Sequence, residues 1–203
     1  RPESLSWDYV REILDLNGIA PERIVAFDQV RRLGRVIVPE PALSLESHVF
    51  TGLKQGLAPM VARALDEPVE RTAQPVYFSR SRLRKGIYFY DGEDRIEASL
   101  AARGARIVYP ETLTLSEQID IVNRHETLIG IIGSAMHNVM FTRAPTRLIY
   151  LTPRWVNPTC LLLDRAFGAS STYVQVCDRS DVARAQVMRL RKRLPIFKPK
   201  RRN

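Results

Sequence analysis

Cysteine is almost absent from this chain of 203 residues. Cys160 and Cys177 make neither a disulfide framework nor a metal-site spacing. Both lie in apolar stretches, where buried free thiols are expected. Histidine is as scarce: His48, His125 and His137 are scattered and give no zinc pattern. No apolar run approaches the roughly 20 residues that a membrane-crossing helix needs, and no secretory signal pattern is present. Arg1 stands where a start methionine would, which allows trimming or excision from a longer polypeptide, so a missing signal says little about location. There is no Gly-x-Gly-x-x-Gly and no Gly-Lys-Ser or Gly-Lys-Thr, which removes the usual dinucleotide and Walker signatures. Acidic residues are missing from 189–203, which holds eight basic ones: Arg189, Arg191, Lys192, Arg193, Lys198, Lys200, Arg201 and Arg202. The rest of the chain carries 23 of the 31 basic residues against all 22 acidic ones, so the net charge of +9 is mostly a tail. Such a tail suits an anionic membrane face or nucleic acid. A solvated terminus is the simpler reading.

What is present is a chain with 45% apolar residues, enough for one substantial core or one domain plus part of another. The stretch Leu128 to Asn138 organises it. A short apolar run reads as a buried strand, breaks at Gly133-Ser134-Ala135, and resumes as a helical turn or two from Met136 to Phe141. A strand that stops at small residues and restarts as a helix presents backbone N–H groups and a positive dipole end, a seat for a phosphate. Ser134, His137 and Asn138 are further donors. An ordinary strand–turn–helix corner explains the same residues.

Earlier in the chain, Ser4 to Asn17 carries Leu5, Tyr9, Ile13 and Leu16 at helical spacing, and Gly18 stops it. Ile24 to Phe27 and Arg35 to Val38 read as strands, and a helical region is expected between Ser44 and Leu65, broken near Gly52, Gly56 and Pro59. Residues 1–72 then read as part of an N-terminal α/β domain. The polar segment Asp66 to Pro75 is the boundary, and 73–203 is the second unit. There, strands at Val76–Phe78, Ala105–Tyr109, Leu128–Ile132, Arg147–Leu151 and Thr172–Cys177 alternate with helices. Asp91 is a cap for one helix. Thr114 and Glu117 form a capping box for the next, Thr159–Phe167 is a short helix, and Ser180 caps a last one. Alternation of this kind predicts an α/β fold with a Rossmann-like parallel sheet. Ligands of such sheets bind at the carboxyl ends of the strands. Ser79-Arg80, Gly133-Ser134 and Thr152-Pro153-Arg154 all fall on that edge. Guanidinium groups there suit a phosphorylated ligand.

The order of these features resembles glycosyltransferase family 61, including its capsular-polysaccharide and lipopolysaccharide branch. The resemblance rests on Tyr77-Phe78-Ser79-Arg80, Arg84, Gly92-Glu93, and Gly104-Ala105-Arg106-Ile107-Val108. It continues through Pro110-Glu111-Thr112-Leu113-Thr114-Leu115-Ser116-Glu117-Gln118-Ile119 and Gly130-Ile131-Ile132-Gly133-Ser134-Ala135-Met136-His137-Asn138, and closes at Leu148-Ile149-Tyr150-Leu151-Thr152-Pro153. It departs from the family pattern at Ile132, where many members carry His, at Gly92, where they carry Asn, and in its short N-terminal part. The resemblance implies a GT-B-like fold, with the donor domain at 73–203 and part of an acceptor-side domain at 1–72. It implies inverting, metal-independent transfer of a sugar from a nucleotide-sugar donor to a hydroxyl of a glycan or lipid-linked glycan acceptor, with no cofactor. It also implies a cytoplasmic place, at the inner membrane face if the 189–203 tail attaches there.

On that resemblance Arg80 and Arg84 are phosphate clamps, and Gly133, Ser134 and Ala135 bind diphosphate through main chain. His137 and Asn138 adjoin them. Glu117 is the partner of Thr114 or, as in some GT-B enzymes, a ribose ligand, and Gln118 is structural. The base is sought at His48, Glu46 or Glu93. Another class of reading is a non-catalytic or incomplete nucleotide-binding or interaction domain. Nucleic-acid binding ranks last, because only Phe197 interleaves with the basic tail.

Overall fold

A computed structural model describes residues 7–65, 67–83, 92–152 and 156–176. Its centre is a five-stranded, wholly parallel sheet. In chain order the strands are β3 (Val76–Phe78), β4 (Arg106–Val108), β5 (Thr127–Ile131), β6 (Arg147–Thr152) and β7 (Ser170–Gln175). They follow β1 (Leu43–Ser44) and β2 (His48–Val49), which form a small antiparallel hairpin. The spatial order is β4-β3-β5-β6-β7. Val76 aligns with Arg106 on one side and Leu128 on the other. The chain therefore leaves β3 for one neighbour and returns to the opposite one, a topological switch point between β3 and β5.

Every residue of β5 is buried, which explains its unbroken apolar run with no alternation. Side chains of period two divide the core between the two faces. Val76, Phe78, Leu128, Leu148 and Tyr150 share one face with α2 (Gly52–Ala64), α4 (Leu115–Arg124) and α5 (Pro158–Phe167). Tyr77, Ile129, Ile131 and Leu151 share the other with Ile96 and Leu100 of α3 (Glu93–Ala101).

Local chemistry sets the helix ends. Thr114 and Glu117 close the reciprocal capping box expected of them. The Glu12 carboxylate, on α1 (Asp8–Leu16), adds to that end by accepting from Leu115 N at 2.8 Å and Ser116 N at 2.7 Å. Burial pushes Glu12 up, but these amide bonds outweigh it and hold its carboxyl below the usual range. Asn157 caps α5, accepting from Thr159 N at 2.9 Å. Gly104, at φ +84°, turns the chain out of α3 in the left-handed conformation that favours glycine.

Several expectations are corrected. Residues 24–27 and 35–38 form no strand: Ile37 is 78% and Val38 83% exposed, and no partner strand among the described residues lies beside either run. The region 44–65 is the β1–β2 hairpin followed by one helix, which passes through Gly56 and Pro59 without ending. In α1 only Leu16 is buried; Tyr9 and Ile13 are exposed. Met136 to Phe141 belongs to a 3-10 run, Ser134–Phe141, and not to an α-helix. The pairs Met136 and Val139, and Asn138 and Phe141, are buried three residues apart, which suits three residues per turn. The last strand starts two residues before its expected place. Asp91, Pro153, Arg154, Cys177 and the helix capped by Ser180 lie outside the described residues. Leu16, Met60, Val61 and Leu65 join the same core as the sheet, so α1 and α2 cover it directly.

Candidate functional site

A cleft of about 260 Å³ opens at the carboxyl ends of β3, β4 and β5. It lies where an open α/β sheet takes its ligands, at the switch point. Ser79, Arg80 and Leu83 supply one wall, Pro110, Glu111 and Gln118 another, and Ser134 and Ala135 a third.

Arg80 leaves the end of β3 and lays its guanidinium against the Gly133 corner. A methyl group added at Gly133 would stand 3.0 Å from Arg80 Nη1. Gly133 has φ 162° and ψ −175°, an extended backbone open to any residue. Its glycine is therefore explained by space for Arg80. The 3-10 run starts immediately after, with Met136 N donating to Gly133 O at 3.0 Å. Such a turn leaves the amides of its first residues, Ser134 and Ala135, without an acceptor inside it. Arg80 and the first residues of this turn thus line one mouth.

Beneath Arg80 lies a polar cluster on the α3 side. Glu93 is buried, and its Oε1 accepts from Arg80 N at 2.7 Å, Tyr77 OH at 2.9 Å and Ser79 Oγ at 3.3 Å. The Ser79 hydroxyl also reaches Glu97, which accepts from Tyr109 OH at 3.0 Å. Burial pushes Glu97 up, but bonds from Ser79, Ser81 and Tyr109 outweigh it and leave its carboxyl below the usual range. Burial, with the Glu93 charge beside it, raises the Tyr77 hydroxyl well above its ordinary value, so it stays a donor. Arg82 covers the Tyr109 ring, 3.7 Å from its centroid.

One side chain ties the remaining walls together. Gln118 Nε2 donates to Pro110 O at 3.0 Å and Leu113 O at 3.3 Å, and its Oε1 accepts from Asn138 Nδ2 at 2.8 Å. The loop after β4 and the turn after β5 are fixed to one point on α4.

The expected site residues therefore part company. Arg80, Ser134 and Ala135 come together at the cleft, with Gly133 behind them. Asn138 is buried and holds the turn through Gln118. Glu117 spends its carboxylate on the Thr114 cap, with bonds of 2.7 Å to Thr114 N and 3.0 Å to its hydroxyl. His137 turns toward α5, its Nε2 3.8 Å from Cys160 Sγ, and burial lowers its pKa. Glu93 lies under the cleft floor. Glu46 and His48 are exposed on the β1–β2 hairpin, where Glu46 N donates to Thr159 Oγ1 at 2.9 Å and the His48 ring meets Phe50 at 4.9 Å. Neither lines the cleft. Arg84 lies outside the described residues. Three lining residues went unread as site residues in the sequence, Leu83, Pro110 and Glu111, and Gln118 was read only as structural. Glu111 had one signal, its place directly after the strand β4.

Compared with known families, the chain matches the Glycosyltransferase 61 model over residues 7–149, more than half its length. The chain belongs to glycosyltransferase family 61. Membership implies a sugar donor and an acceptor, and the parallel sheet accords with a Rossmann-like transferase. No curated protein matches the sequence. No helix among the described residues is long and apolar enough to cross a membrane.

Proposed function

We propose that this family 61 chain moves a glycosyl group from a nucleotide-sugar to a hydroxyl of a glycan acceptor, in polysaccharide or glycoconjugate synthesis of the capsular or lipopolysaccharide kind. The observation that carries the reading is Arg80 packed against Gly133 at the switch-point cleft. In the transfer, the bond between the anomeric carbon and the diphosphate oxygen breaks. The acceptor oxygen bonds to that carbon from the opposite face and gives its proton to a base. The negative charge that grows on the leaving diphosphate is met by Arg80 and by the Ser134 and Ala135 amides. Fixed donors of this kind supply the charge that a metal ion would otherwise supply, which favours a metal-independent route; inversion comes from the family reading alone.

In this reading 73–203 is the donor unit of a GT-B-like enzyme, α1 and α2 of 1–72 pack on its core, and the acceptor lies toward 1–72. The hairpin bearing Glu46 and His48 touches the first turn of α5, the turn that follows the carboxyl end of β6. Both side chains are exposed there, and we assign the acceptor proton to one of them. Glu93 is instead the support of Arg80, through the amide it accepts. A cytoplasmic place beside the membrane, with 189–203 meeting anionic lipid, completes the reading.

Titration calorimetry with UDP, GDP and CMP tests it. Saturable binding of one nucleotide, lost in Arg80→Ala, supports the donor site. A folded chain that binds none of them is an incomplete or non-catalytic domain.

A further inference from the structure

Between the 3-10 turn Pro21–Arg23 and the β1–β2 hairpin, every residue from Val25 to Pro41 is exposed. Val30, Leu33, Val36, Ile37 and Val38 are large and apolar, and neither face of the sheet takes any of them into its core. Water is a poor place for so many adjoining aliphatic side chains, and an exposed patch of this kind marks a contact surface. Arg31, Arg32 and Arg35 are interleaved with them, and no acidic residue falls between Asp28 and Glu40. All three arginines are exposed, and none makes an ion pair with a described residue.

The arginines say what covers the patch. A protein core would have to bury three guanidinium groups along with the aliphatic ones, which costs free energy unless each meets a carboxylate. A second copy, paired about a two-fold axis through this stretch, would set the same arginines against one another. An anionic bilayer takes both kinds of side chain. The aliphatic groups enter the boundary of the acyl chains, and the guanidinium groups stay among the phosphate headgroups.

We infer that residues 25–38 are a membrane-contact segment, inserting Val30, Leu33, Val36, Ile37 and Val38 into an anionic bilayer and binding its headgroups through Arg31, Arg32 and Arg35. This contact is separate from the one assigned above to 189–203, and it does not depend on the donor site. The tail offers charge, whereas this segment offers charge and apolar area, the two signals that lasting attachment requires.

The test is flotation of the full chain with vesicles of phosphatidylcholine alone and of equal parts phosphatidylcholine and phosphatidylglycerol. The wild type should float with the mixed vesicles only. The triple variant Val36→Ser, Ile37→Ser, Val38→Ser keeps every charge and should bind them about tenfold more weakly or worse. The triple variant Arg31→Gln, Arg32→Gln, Arg35→Gln should lose about a hundredfold at low salt. Ile37→Trp should shift its emission to the blue on mixed vesicles by more than the wild type does. Since the substituted side chains are exposed, melting temperatures and nucleotide binding should stay as in the wild type. Full vesicle binding by the serine variant would assign the contact to 189–203 and overturn the inference. So would a wild type that ignores mixed vesicles, including one that instead forms a dimer lost in the serine variant. Neither result touches the donor-site reading, which the nucleotide titration decides.

Discussion

Each face of the sheet buries a tyrosine whose hydroxyl donates to a carboxylate. On the α3 face, Tyr77 donates to Glu93 at 2.9 Å. On the α5 face, Tyr150 donates to Asp164 at 2.6 Å, and Tyr173, stacked on Tyr150 with centroids 4.7 Å apart, donates to the other oxygen at 2.9 Å. Burial raises both Tyr77 and Tyr150 above their ordinary values, and the neighbouring carboxylates add to it. The second cluster even sets Cys160 and His137 close to Asp164, and looks the more catalytic by composition. Burial pushes the Cys160 thiol up to about 12, with the Asp164 charge adding to it, so it stays protonated and is a poor nucleophile at neutral pH. The difference is the opening. Glu93 holds the amide of Arg80, which lines a cleft, whereas Asp164 joins buried Tyr150 to half-buried Tyr173 and holds no cleft residue. Shifted titration marks burial; it marks a site only where a buried group supports one that reaches solvent.

Removing each carboxylate in turn should separate the two clusters most widely. Glu93→Ala and Asp164→Ala should each cost about 3 kcal/mol of stability by leaving buried donors unpaired. Only Glu93→Ala should also weaken nucleotide binding, by about tenfold or more on the scale of one misplaced charged hydrogen bond. Denaturant melts and calorimetry on the same samples separate the two effects, and equal loss of affinity in both variants would erase the distinction. Next in size are the tyrosines. Tyr77→Phe and Tyr150→Phe should each lose about 1 kcal/mol, since each carboxylate keeps another donor. Gly133→Ala comes third. The extended backbone tolerates alanine, but its methyl would crowd Arg80 Nη1 at 3.0 Å. Affinity should fall several-fold with little change in melting temperature.

The smallest expected effect is that of pH. Glu12 has a folded-state pKa below its unfolded one, so its stabilising share is present above the unfolded value and lost as pH falls through the folded one. His137 is also lowered, so its neutral form is favoured by the fold and stability drops as pH falls below its unfolded value of 6.5. Melts taken from pH 7 downward should therefore lose stability first through His137 and then through Glu12 and Glu97. Glu12→Gln should flatten the lower part of that slope alone.

The sheet was legible because its strands are short apolar runs between Gly, Pro and capping residues, and each run found parallel neighbours. Ile24–Phe27 and Arg35–Val38 have the same local character and found none, since strand preference is realised only against a partner. The Thr114–Glu117 box was legible because it closes within four residues. The Gln118 tie was not, because it joins Pro110, Leu113 and Asn138 across three elements. Glu93 looked like a helix-start carboxylate at a cleft edge, and only the packing of α3 on Tyr77 shows it to be buried. Arg80 was singled out by its strand end together with the family resemblance, while its nearness to Gly133 depends on β3 and β5 being neighbours.

In the reading proposed above, the switch-point cleft is a donor phosphate site built on Arg80. Its most direct test is a calorimetric titration of the wild type and Arg80→Ala with UDP, GDP and CMP, run beside their thermal melts. One nucleotide should bind the wild type and bind Arg80→Ala at least about a hundredfold more weakly, as expected for loss of a bidentate charged contact, with the two melts alike. Equal binding by both proteins would contradict the claim.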